Sequence, residues 1–128
     1  LNHTRNHLKK TGKFILDIIN PNPMFLCRDQ EERIIIMDFR DSENGELVEI
    51  YERCNYDYKT EVCDIQWEYV YEKTLRLNKQ LKYKMKMYYP DTINRILTDC
   101  GYTINNLYGD YNMSPFNEES ISQIYLCS

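Results

Sequence analysis

Glycine is scarce in this chain, and no glycine-rich loop is present. The 128 residues contain four glycines, each isolated from the others: Gly12, Gly45, Gly101 and Gly109. A Gly-x-Gly turn between a strand and a helix lets backbone N–H groups approach a bound nucleotide closely. Isolated glycines cannot form such a cradle. The sequence therefore predicts that no residue of this chain binds a nucleoside cofactor.

The chain has only two histidines, and its cysteines do not occur in closely spaced pairs. His3 and His7 are the two histidines, and no Ser-His-Asp or Cys-His arrangement is evident around them. Their i, i+4 spacing suits a metal on one helix face, but no third ligand follows nearby, so we predict no metal site. The five cysteines show no C-x-x-C spacing, which indicates reduced thiols in a cytoplasmic protein.

Long apolar runs and an excess of basic residues are missing as well. No segment has the length and hydropathy of a membrane span or a signal peptide. The formal net charge is −4 and the pI about 5.2, so no basic face is available for a nucleic acid. We predict neither a membrane nor a nucleic-acid partner, and the length predicts a single domain.

The first 32 residues suggest the end of a helix, a buried strand and a loop. Residues 1–10 resemble the tail of a helix that began upstream, and Thr11-Gly12 supplies a stop signal. Residues 13–19 are nearly continuously apolar, which predicts a strand covered on both faces, as in a parallel sheet. Two prolines follow, and residues 20–32 are predicted to be a loop.

The middle of the chain has the two-residue period of antiparallel strands. Strands are predicted at residues 33–40, 47–58, 61–73 and 80–89. Asn44-Gly45 is a strong hairpin signal between the first two. Alternation in the third strand places five residues on one face: Cys63, Ile65, Trp67, Tyr69 and Tyr71.

Lysines occupy alternate positions of the fourth predicted strand: Lys82, Lys84 and Lys86. A connection around Leu77-Asn78 would place Glu68 opposite Lys86 and Glu72 opposite Lys82. Opposite charges across an antiparallel pair contribute roughly 0.2–1 kcal/mol each. We favour this structural explanation of the lysines over an anion-binding site.

The last third predicts a helix followed by two strands. Pro90 suits the first turn of a helix, and Gly101 suits its end. Helical spacing places four apolar residues on one stripe: Ile93, Ile96, Leu97 and Cys100. Strands are predicted at residues 102–108 and 121–127, joined by a polar loop.

These motifs, in this order, resemble the C-terminal end of class I S-adenosylmethionine-dependent methyltransferases. They are Tyr88-Tyr89-Pro90, the helix, Gly101-Tyr102 and then Tyr108-Gly109-Asp110-Tyr111. Leu8-Lys9-Lys10-Thr11-Gly12 is similar to the turn before the fifth strand of that family, with Thr11 replacing one glycine. The resemblance extends over nearly the whole chain.

The resemblance implies an α+β fold that is mainly antiparallel sheet. It implies a single C-terminal fragment, in which residues 1–19 are the end of a helix and a strand of the Rossmann-like core. Residues 33–89 would form an inserted antiparallel sheet, and residues 90–128 the final helix and strands of the core. S-adenosylmethionine would be bound by an N-terminal half absent from this sequence. The full-length protein would be an enzyme, and the fragment alone inactive and self-associating through exposed strand edges.

The resemblance also implies where the methyl acceptor binds. Family members approach it with the loop after the fifth strand and with the inserted sheet, which correspond to Asn20, Asn22, Phe25, Trp67, Tyr69 and Tyr88. Aromatic rings suit the positive charge of a sulfonium donor. Trp67 and Tyr69 are equally typical of a sheet core, whereas Tyr88 is predicted to point away from its apolar neighbours.

The acidic balance favours a small-molecule acceptor, and the catalytic residues stay unassigned. A different class of function remains open from the residues themselves. Met- and Tyr-rich sheet faces are also typical of a self-contained antiparallel module that binds a ligand or a partner without catalysis.

Overall fold

The computed structural model describes residues 1–73 and 77–128. The chain divides into two units, one formed by Leu1–Asn22 with Met87–Ser128 and the other by Pro23–Lys86. Each unit contains an antiparallel sheet and at least one helix, which confirms the predicted α+β class. Within the described ranges, no helix is long and apolar enough to cross a membrane.

The first unit builds its core between a three-stranded sheet and a helix. Its elements are α1 (Asn2–His7), β1 (Phe14–Ile19), α3 (Pro90–Asp99), β6 (Ile104–Tyr108) and β7 (Ser122–Cys127). The strand order is β1-β7-β6, and both pairings are antiparallel. The predicted apolar stripe of α3 buries Ile93 and Leu97 against Tyr102, Tyr125 and Cys127. Gly101 ends α3 with a φ of 79°, as predicted.

Two predictions for the N-terminal segment are wrong. The helix ends at His7, because Leu8 is already extended, and α1 buries no residue that would stabilise further turns. The strand β1 is not covered on both faces within the described residues. It pairs antiparallel with β7, and Ile15 and Ile19 are 65% and 47% exposed. Only its alternate residues pack on the core of this unit.

Replacement of Leu97 by alanine tests the core of the first unit. Leu97 is completely buried, so Leu97→Ala should lower the free energy of unfolding by about 2–5 kcal/mol through lost transfer energy and a cavity. Ile121 is 79% exposed, and Ile121→Ala should change it by less than about 0.5 kcal/mol. Urea unfolding followed by circular dichroism measures both. Equal destabilisation by the two variants would contradict this core assignment.

The second unit is a meander of four antiparallel strands with one short helix. Its elements are α2 (Pro23–Leu26), β2 (Ile34–Arg40), β3 (Leu47–Asp57), β4 (Val62–Tyr71) and β5 (Leu77–Lys86), and the sheet order is β2-β3-β4-β5. Gly45, with a φ of 71°, lies in the β2–β3 turn, which confirms the hairpin signal. The helix α2 falls inside the segment predicted to be a loop.

The predicted register of β4 with β5 is wrong. Leu77 and Asn78 belong to β5, and the connecting residues 74–76 lie outside the described ones. Glu68 is opposite Gln80 rather than Lys86, and Lys82 is opposite Gln66. Both registers keep the apolar residues on one face, because they differ by an even number of residues and side chains alternate with a period of two. Alternation therefore could not choose between them.

Candidate functional site

The six residues predicted to approach the acceptor are divided between the two units. Asn20, Asn22 and Tyr88 belong to the first unit, while Phe25, Trp67 and Tyr69 belong to the second. The surroundings of these side chains are therefore described separately for each unit.

Asn20 and Asn22 hold the loop between β6 and β7. Asn20 is 5% exposed, and its Nδ2 donates to the carbonyl oxygens of Ser120 at 2.8 Å and Glu118 at 3.2 Å. The Nδ2 of Asn22 donates to the carbonyl of Glu119 at 3.3 Å. Both hydrogens of the Asn20 amide group are thus committed to the loop, so its direct contact with a substrate stays a prediction that would have to use the side-chain oxygen.

Tyr88 lies outside any strand, two residues before the start of α3, and is 38% exposed. The prediction that it extends the fourth strand is wrong, because β5 ends at Lys86. Its backbone carbonyl accepts a 2.8 Å hydrogen bond from Nε2 of Gln123. Gln123 is completely buried, and its Oε1 accepts from the hydroxyl of Tyr125 at 3.0 Å. Burial raises the pKa of Tyr125 to about 12, so this hydroxyl remains a donor.

Sequence reasoning missed Gln123. The signal was its position in the alternation of β7, where it shares the inward face with Tyr125 and Cys127. A polar residue at an inward position needs a partner, and the partner here is the backbone of Tyr88.

In the second unit, a buried carboxylate organises the surroundings of Phe25 and Trp67. Glu52 lies on the inward face of β3 and is 6% exposed. Its Oε1 forms a 2.7 Å ion pair with Arg28, and its Oε2 accepts a 2.8 Å hydrogen bond from Nε1 of Trp67. Both carboxylate oxygens therefore have partners, as a buried charge requires.

Aromatic rings surround this ion pair. The Arg28 guanidinium lies 4.8 Å from the ring centre of Phe25, and its Nε donates to the Phe25 carbonyl at 3.2 Å. The Trp67 ring meets Tyr83 edge-on at 5.6 Å. Burial, followed by the Glu52 charge, raises the pKa of Tyr83. We call this set the Glu52 cluster: Phe25, Arg28, Glu52, Trp67 and Tyr83.

Tyr69 is two residues after Trp67 on β4, but its ring contacts a residue outside the Glu52 cluster. The Lys79 ammonium is 5.8 Å from the centre of the Tyr69 ring. Of the predicted residues, Phe25 and Trp67 thus contact one ion pair, Phe25 through Arg28 and Trp67 through Glu52. Neither Arg28 nor Glu52 was among the residues predicted from the sequence. Glu52 could have been recognised as the charged residue in the inward series Val48, Ile50, Glu52, Cys54 and Tyr56.

The thiols on the same sheet face should be unreactive. Burial raises the pKa of Cys63 to about 12, and a hydrogen bond with Cys54 adds to the shift. At pH 8 Cys63 is therefore the neutral thiol, which is a poor nucleophile. We expect Ellman's reagent to modify the exposed Cys27 rapidly and Cys63 only after unfolding.

The Cys27→Ser variant is the control for this reactivity, because it should abolish the fast phase alone. Peptide mapping of the modified thiols assigns each phase. Rapid native-state labelling of Cys63 would contradict the burial that the structure shows.

The glycines of this chain have other structural roles than a cofactor loop. Gly45 and Gly101 serve a hairpin and a helix end, as their positive φ values require. A Cβ on Gly109 would lie 2.2 Å from Oγ of Ser120, so this glycine allows close packing of two loop segments. Among the described residues, no glycine-rich turn joins a strand to a helix, and no three His, Cys, Asp or Glu side chains are grouped to hold a metal.

Comparison with known proteins supports a methyltransferase fold. No protein-family model and no curated protein matches the sequence. The methyltransferase CcbJ from Streptomyces caelestis matches with a TM-score of 0.77 at 14% identity, covering 98% of this chain and 50% of that one. An S-adenosylmethionine-dependent methyltransferase from Clostridium acetobutylicum ATCC 824 matches with a TM-score of 0.69 at 17% identity, covering 99% and 48%.

The chain therefore has the fold of part of a methyltransferase, and it spans about half the length of these two structures. The resemblance inferred from the aromatic and glycine motifs is confirmed at the level of the fold.

Proposed function

We propose that this chain is the acceptor-substrate-side part of an S-adenosylmethionine-dependent methyltransferase. The observation that carries the proposal is the fold match, which includes nearly all of this chain but only half of each methyltransferase. The missing nucleoside cradle agrees with it, because the cofactor would then be bound by the other half. S-adenosylmethionine would supply the methyl group, and the chain alone would be inactive.

The Glu52 cluster suits the orientation of an acceptor. Glu52 holds the Trp67 indole and the Arg28 guanidinium in fixed positions, so little rotational freedom remains to be lost on binding. Aromatic rings exclude water and favour positive charge, which methyl transfer from a sulfonium involves. Because both Glu52 oxygens are occupied, we assign it a positioning role and leave the proton acceptor unassigned.

The other four residues predicted to approach the acceptor are also part of the proposal. Tyr69 in the second unit is half-buried and Tyr88 in the first unit is exposed, and each could contact an acceptor. Asn20 and Asn22 would shape the loop between β6 and β7 in the first unit. The acidic net charge of −4 favours a small molecule in a cytoplasmic protein.

We also propose that the isolated chain self-associates. The strand β1 lies at an end of its sheet and exposes Ile15 and Ile19. An apolar end strand is a template for pairing with another chain. Sedimentation velocity should show concentration-dependent dimers, and Ile15→Lys should shift them to monomers. A monomer at all concentrations would remove this part of the proposal.

Isothermal titration with S-adenosylmethionine and S-adenosylhomocysteine tests the main proposal. We expect no heat of binding with this chain and saturable binding with a longer protein that joins it to a cofactor-binding half. Tight binding to the chain alone would show that the division between the halves is wrong. No binding to either protein would favour the self-contained ligand-binding module.

Fluorescence tests the acceptor side separately. Trp67 is the only tryptophan of this chain, so the emission of the isolated chain reports on the Glu52 cluster. Once the longer protein yields an acceptor, that acceptor should change Trp67 emission saturably, and Trp67→Phe should raise its KM more than that of S-adenosylmethionine. An equal rise of both KM values would contradict the assignment.

A further inference from the structure

The outward face of the second sheet carries two polar rows beside a concavity. Arg53, Gln66 and Lys82 are directly opposite one another across β3, β4 and β5. Asn55, Asp64 and Lys84 form the adjacent row. A concavity of about 560 Å³ is lined by residues of both rows and by Gln30 and Glu31 from the preceding loop.

The three lysines of β5 differ in their partners. Lys84 forms an ion pair with Asp64 at 3.4 Å. Lys86 forms one with Glu61 at 2.7 Å and donates to the carbonyl of Thr60. Lys82 has no ion pair or hydrogen bond within the described part of the chain, and the residue opposite it is the neutral Gln66. The carboxylate that the sequence analysis assigned to Lys82 is therefore not its partner.

Arg53, at the other end of the Lys82 row, is only loosely neutralised. Its Nη1 lies 3.3 Å from Oε2 of Glu31, whose side chain is 88% exposed. Its Nε lies 3.9 Å from Oε1 of Glu68 and is buried without a hydrogen bond among the described residues. Glu68 is already engaged, because its Oε2 is 2.9 Å from Nε of Arg33. The Nε of Arg53 is thus a buried donor without a hydrogen-bond acceptor, while the partly exposed Arg53 side chain lines the concavity.

We propose that this concavity binds a small anion, a carboxylate or a phosphate, between Arg53 and Lys82. The Arg53 guanidinium offers parallel donors that match two oxygens of such a group, and the Lys82 ammonium adds a second positive charge. Glu31 is the internal competitor, since it already places a carboxylate against Arg53. Tyr83 of the Glu52 cluster also lines this concavity. The proposed anion contacts are made by Arg53 and Lys82, so the proposal needs neither the methyltransferase assignment nor a cofactor.

Nuclear magnetic resonance of the arginine Nε–H groups tests the site directly. The intact chain is titrated with sodium phosphate and with sodium acetate against sodium chloride, at constant ionic strength and pH. We expect the Arg53 Nε–H resonance to move saturably with phosphate or acetate and not with chloride. Saturation by both salts identifies a general anion site, and saturation by phosphate alone identifies a phosphate site.

Matched variants decide whether the two cations and the competing carboxylate act as proposed. Lys82→Gln should weaken binding about two- to five-fold, and Glu31→Gln should tighten it by a similar factor. Lys79→Gln makes the same charge change on the same strand but on the opposite face, and it should leave the affinity unchanged. Equal responses to chloride and phosphate would overturn the proposal. So would equal losses in the Lys82→Gln and Lys79→Gln variants, provided that their amide spectra remain dispersed.

Discussion

Glu52→Ala is expected to lower the free energy of unfolding by about 3–5 kcal/mol, because it leaves a buried arginine without its counter-charge. The side chains of Arg28 and Glu52 are 12% and 8% exposed, so water can replace the missing carboxylate only in part. The Trp67 indole loses its acceptor in the same variant. Urea unfolding followed by circular dichroism measures the loss, and the emission of Trp67 should change even in the folded state.

Two controls separate the ion pair from general damage to β3. Glu49→Ala removes a carboxylate from the opposite face of the strand, where Glu49 accepts one hydrogen bond from Tyr51, and should cost less than about 1 kcal/mol. The double variant Arg28→Leu/Glu52→Leu removes both charges and should recover most of the stability. If Glu52→Ala cost no more than Glu49→Ala, Glu52 would not organise this cluster.

Gln123→Leu is expected to cost about 2–4 kcal/mol. The buried Tyr125 hydroxyl is left without its acceptor, at about 1–3 kcal/mol, and the Tyr88 carbonyl loses a hydrogen bond worth about 1 kcal/mol. The Tyr88 carbonyl loses its donor, and the Tyr125 hydroxyl loses its acceptor. Leucine keeps much of the side-chain volume, so a cavity explains little of the loss. Thermal and urea unfolding measure it.

A double-mutant cycle assigns the cost of Gln123→Leu to its two partners. Tyr125→Phe removes the hydroxyl, so the double variant should be more stable than the sum of the two single losses predicts. The remaining loss in free energy of unfolding, which Tyr125→Phe does not restore, is then assigned to the Tyr88 carbonyl. Strict additivity of the two losses would show that Gln123 and Tyr125 do not interact in solution.

Much of the local structure follows from short-range patterns in the sequence. The α3 boundaries and its buried Ile93 and Leu97 follow from Pro90, the helical spacing of apolar residues and Gly101. The β2–β3 hairpin follows from Asn44-Gly45 and the alternation on either side. These features depend on residues within a few positions of one another, which is why the sequence contains enough information to predict them.

The aromatic and glycine motifs also led to the methyltransferase fold, which the two solved structures confirm. They did not locate the Glu52 cluster. Glu52 is 24 residues from Arg28 and 15 from Trp67, and no local pattern connects them. Their contact arises only when α2, β3 and β4 pack together.

By itself, the sequence determined the fold class, the alternating faces of β4 and β5, and the absence of a glycine-rich cofactor loop. The tertiary structure alone decided the β4–β5 register, the partners of Glu52 and Gln123, and the neutral residue opposite Lys82. The physical reason is the same in each case. Alternation specifies which way a side chain points, but any shift by an even number of residues preserves it, so long-range packing must choose which side chains meet.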